Sequence, residues 1–274
     1  MPTHRLSVLK IGGSVLTGRQ AYRRVAAFIG DRLCADPAER LVVVVSAQNG
    51  TTDALLATAR DIATEPDPAT VDLLWSTGET ESAALLALHL HAHGVRATAA
   101  NIHQTGLIEP DEPGNPGRSA IRPLRLLALL EHYDVVVAPG FLARGAGDRV
   151  VSLGRGGSDL TAVLLAAGLG ASRCELVKDV PGYFSADPKR DPEARPLPCV
   201  SYARAIEMAD DGCELVQGHA LVAARDRNVP LLIRSLGNQD STLVTAGSKD
   251  PAYDTATGGS KDPAHNACTC RPGL

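Results

Sequence analysis

The chain has 274 residues, of which 44% are apolar and 21% charged, the balance of a folded soluble protein with one large domain or two closely joined halves. Its 27 basic and 31 acidic residues nearly cancel, so no global basic field indicates a nucleic acid or an anionic membrane as a partner. No apolar run is long enough to cross a bilayer, the N-terminus lacks a signal-peptide pattern, and six scattered cysteines do not suggest a disulfide framework, so we expect a cytoplasmic protein with reduced thiols.

Short β-branched runs alternate with longer helical patterns. The predicted strands are residues 6–11, 41–45, 95–99, 135–138, 175–177 and 229–233. The predicted helices are residues 79–93, 119–132 and 160–167, the last with apolar residues at helical spacing behind an N-cap candidate. Several strands are apolar without alternation, as in strands covered on both faces. This order predicts a mainly parallel α/β sheet with helices on both sides.

The end of the chain has a different composition. Hydrophobic periodicity is lost, and the hexapeptide Gly-Ser-Lys-Asp-Pro-Ala occurs at 247–252 and again at 259–264. We therefore predict a disordered tail over residues 247–274. The histidines and cysteines of this segment do not make a full tetrahedral ligand set, and neither do the histidines at 89, 91 and 93. We predict no metal site built by the protein itself.

Polar or glycine-rich loops follow several of the predicted strands, where open α/β sheets bind ligands. The first contains Lys10, Gly12, Gly13 and Ser14. Its glycines allow backbone N–H groups to approach phosphate oxygens, and the lysine adds a mobile positive charge. An ordinary turn after a strand is the alternative. The spacing is neither that of a Walker A loop nor that of a Rossmann fingerprint.

The second and third loops carry candidates for a polar substrate. The second loop includes Ser46 and Thr52, which contact a substrate or cap a helix. The third is residues 76–81, with Glu79 expected in the first turn of a helix. There the carboxylate complements the helix dipole or holds a substrate ammonium group.

The fourth loop, residues 152–159, is the most informative. Three glycines surround Arg155, and a predicted helix starts immediately afterwards. Such a loop presents the guanidinium group to a carboxylate or a phosphate, while the helix N-terminus adds donors. Asp159 lies near the same point, and a purely structural turn is the alternative.

Taken together, these loops resemble the amino acid kinase family, in the order found in its aspartate-kinase branch. The resemblance runs from about residue 5 to residue 236 and includes residues 179–189, which are similar to the nucleotide-binding segment of the family. It implies a three-layer α/β/α sandwich with a mainly parallel eight-stranded sheet. The kinase domain would be residues 1–246, with an acceptor-binding part of about 1–150 and a nucleotide-binding part of about 151–246.

The resemblance also implies a reaction, the transfer of the γ-phosphoryl group of ATP, with Mg²⁺, to the side-chain carboxylate of aspartate or an aspartate-like acid. Lys10 would neutralise the transferring group and Asp159 would orient the site. Glu79 would take the α-ammonium group and Arg155 the α-carboxylate. The acceptor-binding residues implied are Ser46, Thr52, Glu79 and Arg155. The nucleotide-binding residues implied are Gly12, Gly13, Ser14, Lys178, Asp179, Phe184 and Lys189.

The sequence departs from the family pattern at three positions. Lys178 stands where the family usually has threonine, and Phe184 replaces a tyrosine. Glu214 replaces a lysine that meets the ATP phosphates in aspartate kinases, so the charge is reversed. Either Lys178 compensates from a neighbouring strand end, or Glu214 points to solvent.

The acceptor and the assembly are less constrained. Only a polar tail follows Leu236, so the resemblance is to the catalytic domain without the regulatory ACT domains. The family implies a small-molecule acid as partner and an oligomer of identical subunits. A second hypothesis keeps the kinase but gives it an N-acyl amino acid, a carbamate or a phosphonate, which would leave Glu79 without a purpose. A third is a non-catalytic ligand-binding homologue, which Glu214 favours and Lys10 opposes.

Overall fold

The structure is a computed structural model that describes residues 5–109, 120–154, 156–189 and 191–247. The strands of this part of the chain are β1 (Arg5–Ile11), β2 (Glu39–Val45), β3 (Ala97–Ala99), β4 (Leu107–Ile108), β5 (Ala120–Ile121), β6 (Val135–Pro139), β7 (Leu142–Arg144), β8 (Val150–Ser152), β9 (Arg173–Lys178), β10 (Cys199–Ser201), β11 (Leu231–Ser235) and β12 (Ser241–Thr245). Its α-helices are α1 (Arg19–Ala35), α2 (Thr51–Ile62), α3 (Pro68–Ala92), α4 (Ile102–Thr105), α5 (Leu124–Leu130), α6 (Gly157–Leu169), α7 (Tyr202–Asp210) and α8 (Gly218–Asp226).

Eight strands form one sheet in the order β10-β12-β11-β9-β1-β2-β6-β3. Every neighbouring pair is parallel except β11 and β12, which are antiparallel. The mainly parallel sheet predicted from the pattern, and the eight strands that the family resemblance implies, are thus confirmed. A second, four-stranded sheet has the order β5-β4-β7-β8 and lies outside that prediction.

The main sheet is the middle of three layers. On one face, Val8 and Val42 belong to a buried core shared with α6, α7 and α8. On the other face, Leu9 and Val43 belong to a second core shared with α1 and α3. Burial on both faces explains why these strands read as continuous apolar runs. None of the helices in the described ranges combines the length and the apolar character that a bilayer crossing requires.

Helix α3 begins eleven residues earlier than the sequence predicted. The Asp67 side chain accepts a hydrogen bond from the Thr70 backbone N–H at 2.8 Å, and Pro68 takes the first helical position. Residues 76–81, predicted as a loop, therefore lie within the helix. The expectation that Glu79 sits in the first helical turn is wrong.

The helix predicted at 119–132 is also too long. Its described part contains the short strand β5, which pairs with β4, and the helix itself starts at Leu124 after Pro123. Pairing with β4 extends the chain at Ala120 and Ile121, and only tertiary contact supplies that pairing. The predicted tail falls outside the described ranges, apart from its first residue, Gly247.

Candidate active site

The carboxyl ends of β1, β2 and β9 bring the predicted phosphate loop beside the predicted nucleotide segment. Lys10 of β1 is paired in register with Leu176 of β9, and side chains two residues apart on a strand share a face. Lys10 and Lys178 therefore project on the same face of the sheet, toward α6. Beyond β1, the Gly12 backbone N–H donates to the Val177 carbonyl at 3.0 Å.

Asp159 lies between these two lysines. Lys10 Nζ is 2.9 Å from Asp159 Oδ1, and Lys178 Nζ is 2.7 Å from Asp159 Oδ2. The Lys10, Asp159 and Lys178 side chains are 6%, 3% and 12% exposed, so the cluster is almost closed to water. Burial alone raises the pKa of the Asp159 carboxyl, but the two ammonium groups outweigh it and lower that pKa to about 2.

The first turn of α6 positions Asp159. The helix begins after Gly156, whose φ is +73°, a left-handed conformation that favours glycine. A Cβ atom on Gly156 would overlap the side chain of Gln217, the residue before α8, so a larger residue here would force one of the two to move. A carboxylate in the first turn is also stabilised by the helix dipole.

The glycine loop contacts both neighbouring segments. A Cβ atom on Gly13 would lie 3.1 Å from the Ala47 carbonyl oxygen, so the loop packs closely on the segment that contains Ser46. On the other side, the Ser14 hydroxyl donates to Asp179 Oδ1 at 3.0 Å. The loop thus joins the predicted acceptor and nucleotide segments.

Glu79 reaches the site from the interior of α3. The Ala47 backbone N–H donates to its carboxyl group, while Oε2 has no hydrogen-bond partner among the described residues. Burial raises the pKa of Glu79 to about 8, although the Ala47 N–H and the charge of Lys10 act to lower it. A buried carboxyl with an unused oxygen is suited to a cation supplied by a ligand.

The other predicted acceptor residues are less informative. The Ser46 carbonyl accepts from the Ser82 hydroxyl of α3 at 2.7 Å, which fixes the second loop against this helix. Thr52 lies in the first turn of α2 and is half-buried. Arg155 lies outside the described residues.

A cleft of about 780 Å³ begins directly after the end of β9, between residues 179–189 and the stretch from Met208 to Leu215. Asp179, Phe184 and Lys189 line it, as three of the predicted nucleotide contacts. Its wall also carries Glu214, which is exposed, and the acidic Asp187 and Asp211. Sequence reasoning missed the contribution of Asp211, because a polar residue after a helix carries no distinctive signal. Among the described residues, no group of His, Cys, Asp and Glu side chains is arranged to hold a metal ion.

Residues 5–235 match the model of the amino acid kinase family. The aspartokinase of Mycobacterium tuberculosis H37Rv is 38% identical over 249 residues, 89% of this chain and 58% of the relative. An aspartokinase of Thermus thermophilus is 37% identical over 230 residues, 84% of this chain and 56% of the relative. The chain thus spans less than two thirds of these relatives.

Solved structures with the same fold include aspartate kinases and more distant kinases. An aspartate kinase from Synechocystis superposes with a TM-score of 0.78 at 34% identity, covering 88% of this chain and 40% of that one. E. coli aspartokinase III in complex with aspartate and ADP gives 0.76 at 27% identity, covering 90% and 66%. A uridylate kinase from Archaeoglobus fulgidus gives 0.61 at 20% identity, covering 87% and 99%, a likeness of fold alone.

Proposed function

The chain belongs to the amino acid kinase family, and we propose that it transfers the γ-phosphoryl group of MgATP to the side-chain carboxylate of aspartate or a closely similar α-amino acid. The product is an acyl phosphate. The observation that carries the proposal is the buried cluster of Lys10, Asp159 and Lys178 at the carboxyl ends of β1 and β9, from which the chain continues into the wall of a nucleotide-sized cleft. The complex of an aspartokinase with aspartate and ADP supports the same pair of ligands.

Phosphoryl transfer requires that the reactants are positioned and that negative charge is neutralised, rather than a covalent enzyme intermediate. A carboxylate oxygen of the acceptor forms a bond to the γ-phosphorus as the bond from that phosphorus to the β,γ-bridging oxygen breaks, and ADP leaves with this oxygen. The nucleophile is already ionised at neutral pH, so no base has to remove a proton. Lys10 neutralises charge on the transferring group, and Mg²⁺ arrives with ATP as part of the substrate.

The acceptor is held through its α-amino acid group. Glu79 takes the ammonium group, because its buried Oε2 is without a partner in the described structure. Arg155 takes the α-carboxylate with the two parallel hydrogen bonds that a guanidinium group provides. Ser46 and Thr52 complete this part of the site, which we assign to about residues 1–150.

The nucleotide occupies the cleft in the part of about residues 151–246. Asp179, Phe184 and Lys189 form one wall of this cleft. Gly13 offers a backbone donor to the phosphates. Gly12, whose own N–H donates to the Val177 carbonyl, leaves space beside Lys10 for the phosphates to approach. The hydrogen bond from Ser14 to Asp179 fixes the glycine loop and this wall relative to each other.

Trapping with hydroxylamine tests the proposal. The full chain is incubated with MgATP and with L-aspartate, L-glutamate, N-acetyl amino acids or small phosphonates, and an acyl phosphate from a carboxyl acceptor is detected as a hydroxamate. We expect a hydroxamate with L-aspartate or a similar free amino acid. Product only with N-acylated acids would move the acceptor to that class. Stabilisation by nucleotide with ADP formation for no acceptor would favour a non-catalytic ligand-binding homologue.

The acceptor KM is expected to fall about fiftyfold between pH 6 and pH 8. With a pKa of about 8, the Glu79 carboxyl of the empty enzyme is protonated at pH 6 and half ionised at pH 8. Only the ionised form attracts the ammonium group, which stays protonated over this range. The measurement is the acceptor KM against pH at saturating ATP.

The matched control is Glu79→Gln, which keeps the shape but cannot ionise. Its acceptor KM should be high and independent of pH over the same range. Folding gives a second readout: a raised pKa in the folded state makes the wild type lose stability as pH rises from about 4.5 to 8, and the glutamine variant should lack this loss. An unchanged pH profile of KM in the variant would contradict the assignment of Glu79.

A further inference from the structure

The cluster of Lys10, Asp159 and Lys178, at the carboxyl ends of β1 and β9, carries more positive charge than the Asp159 carboxylate neutralises. Two ammonium groups, Lys10 and Lys178, share the single carboxylate of Asp159, and all three side chains are nearly buried. Asp179, the next residue after Lys178, is also acidic, but it is exposed to solvent, which screens its charge from the buried lysines. An excess positive charge in a closed site is unfavourable until an anion enters, so the cluster is prepared for one.

The outer wall of the nucleotide cleft offers little positive charge to the ATP phosphates. Glu214 and Asp211 line one side of the cleft, and Asp187 lies on the other. Lys189 is the one cation among the described lining residues, and it is exposed at the far end of the nucleotide segment. The negative charge of Glu214 would repel ATP phosphates placed beside it unless a cation offsets that charge.

The strand order places Lys178 between Lys10 and the cleft. The strands β2, β1 and β9 are neighbours in the sheet, and at their carboxyl ends β2 leads to the acceptor loop while β1 carries Lys10. Strand β9 carries Lys178 and continues directly into the cleft wall at Asp179. Phosphoryl transfer needs the acceptor oxygen, the phosphorus and the leaving oxygen roughly in line. With the acceptor on the β2 side and the nucleotide in the cleft, as proposed above, the two lysines follow one another along this line.

We propose that Lys178 is a second catalytic cation, which contacts the leaving β-phosphate side of the transferring group and replaces a cation that the Glu214 loop does not provide. The inference rests on the kinase function proposed above. A purely structural role is disfavoured, because Asp159 is already paired with Lys10. A second buried lysine adds desolvation and repulsion that a neutral donor at this position would avoid.

The test replaces Lys178 by methionine, which removes the charge and keeps the apolar stem. We expect kcat for hydroxamate formation to fall about thirtyfold, with the acceptor KM changed by less than about twofold. Adding Glu214→Lys to this variant should raise kcat again by about tenfold, because a cation then approaches the phosphates from the cleft wall. Arg225→Ala, at an exposed position paired with Asp226, is the control and should leave kcat unchanged.

A binding measurement separates this inference from the proposed reaction. ADP with aluminium fluoride mimics the transferring group and needs no acceptor turnover, so its affinity is measured by calorimetry beside that of ADP alone. We expect Lys178→Met to weaken the fluoroaluminate complex about thirtyfold and ADP alone less than about threefold. A loss confined to melting temperature or to the acceptor KM would overturn the role of Lys178. A wild type that binds the mimic but forms no product would instead overturn the proposed function.

Discussion

Asp159→Asn is expected to lower the free energy of unfolding by about 3–5 kcal/mol, because it leaves two adjacent buried ammonium groups without their carboxylate. Lys10 and Lys178 both contact this carboxylate at less than 3 Å. The change is nearly isosteric, so the loss reports charge rather than packing. It is measured by urea unfolding at neutral pH, compared with the wild type.

The pH dependence gives an independent check. The folded pKa of about 2 lies below the ordinary value of 3.8, so the stabilisation is present above about pH 4 and is lost as pH falls toward 2. The asparagine variant should lack this part of the acid-induced loss. Combining Asp159→Asn with Lys178→Met should recover much of the stability, since the repulsion is removed. A single variant as stable as the wild type would show that the cluster is not buried in solution.

Lys10→Ala is expected to lower kcat at least about a hundredfold, equivalent to about 2.7 kcal/mol or more of barrier, in a protein that stays folded. The charge of Lys10 acts where negative charge develops, in a site that excludes water. Folding should persist because Asp159 keeps Lys178 as its partner. Single-turnover kinetics of hydroxamate formation, with circular dichroism as the test of folding, provide the measurement.

The structural interpretation of the glycine turn leads to the opposite result. If Lys10 and Gly12 only shape a turn, the alanine variant loses stability with little specific effect on turnover. An unchanged kcat in a folded variant would remove the kinase proposal, because among the described residues none matches Lys10 in both position and pairing with Asp159.

The central strands of the sheet could be predicted because their apolar pattern is visible in the local sequence. The runs at 6–11 and 41–45 are apolar on both faces, and that pattern is typical of covered strands. The loops after these strands were singled out by their glycines and polar residues, although residue type alone left an ordinary turn as the alternative. The strand β12 has no such signature, because its buried residues Thr242 and Val244 alternate with half-buried ones, and one of its two partners, β10, lies far away in the chain.

The candidate site was less predictable than the sheet. Glu79 was singled out by residue type, but its place inside α3 depends on the cap at Asp67, twelve residues earlier. The contact between Lys178 and Asp159 joins residues from β9 and α6, and the register of β9 against β1 decides which face Lys178 takes. No spacing in the sequence encodes that register.

The neighbouring strands β1 and β9 lie in the interior of the main sheet. Hydrogen exchange can therefore distinguish these rigid strands from the more mobile loops at their ends. Backbone amides of interior strands open only in near-global unfolding, whereas loops at the strand ends open locally. We expect slow exchange at 8–11 and 174–177 with or without MgATP, and slowing by MgATP confined to 12–14, 179–189 and 211–215. The distance between the two cations would then be set at folding, and only entry to them would change during a catalytic cycle.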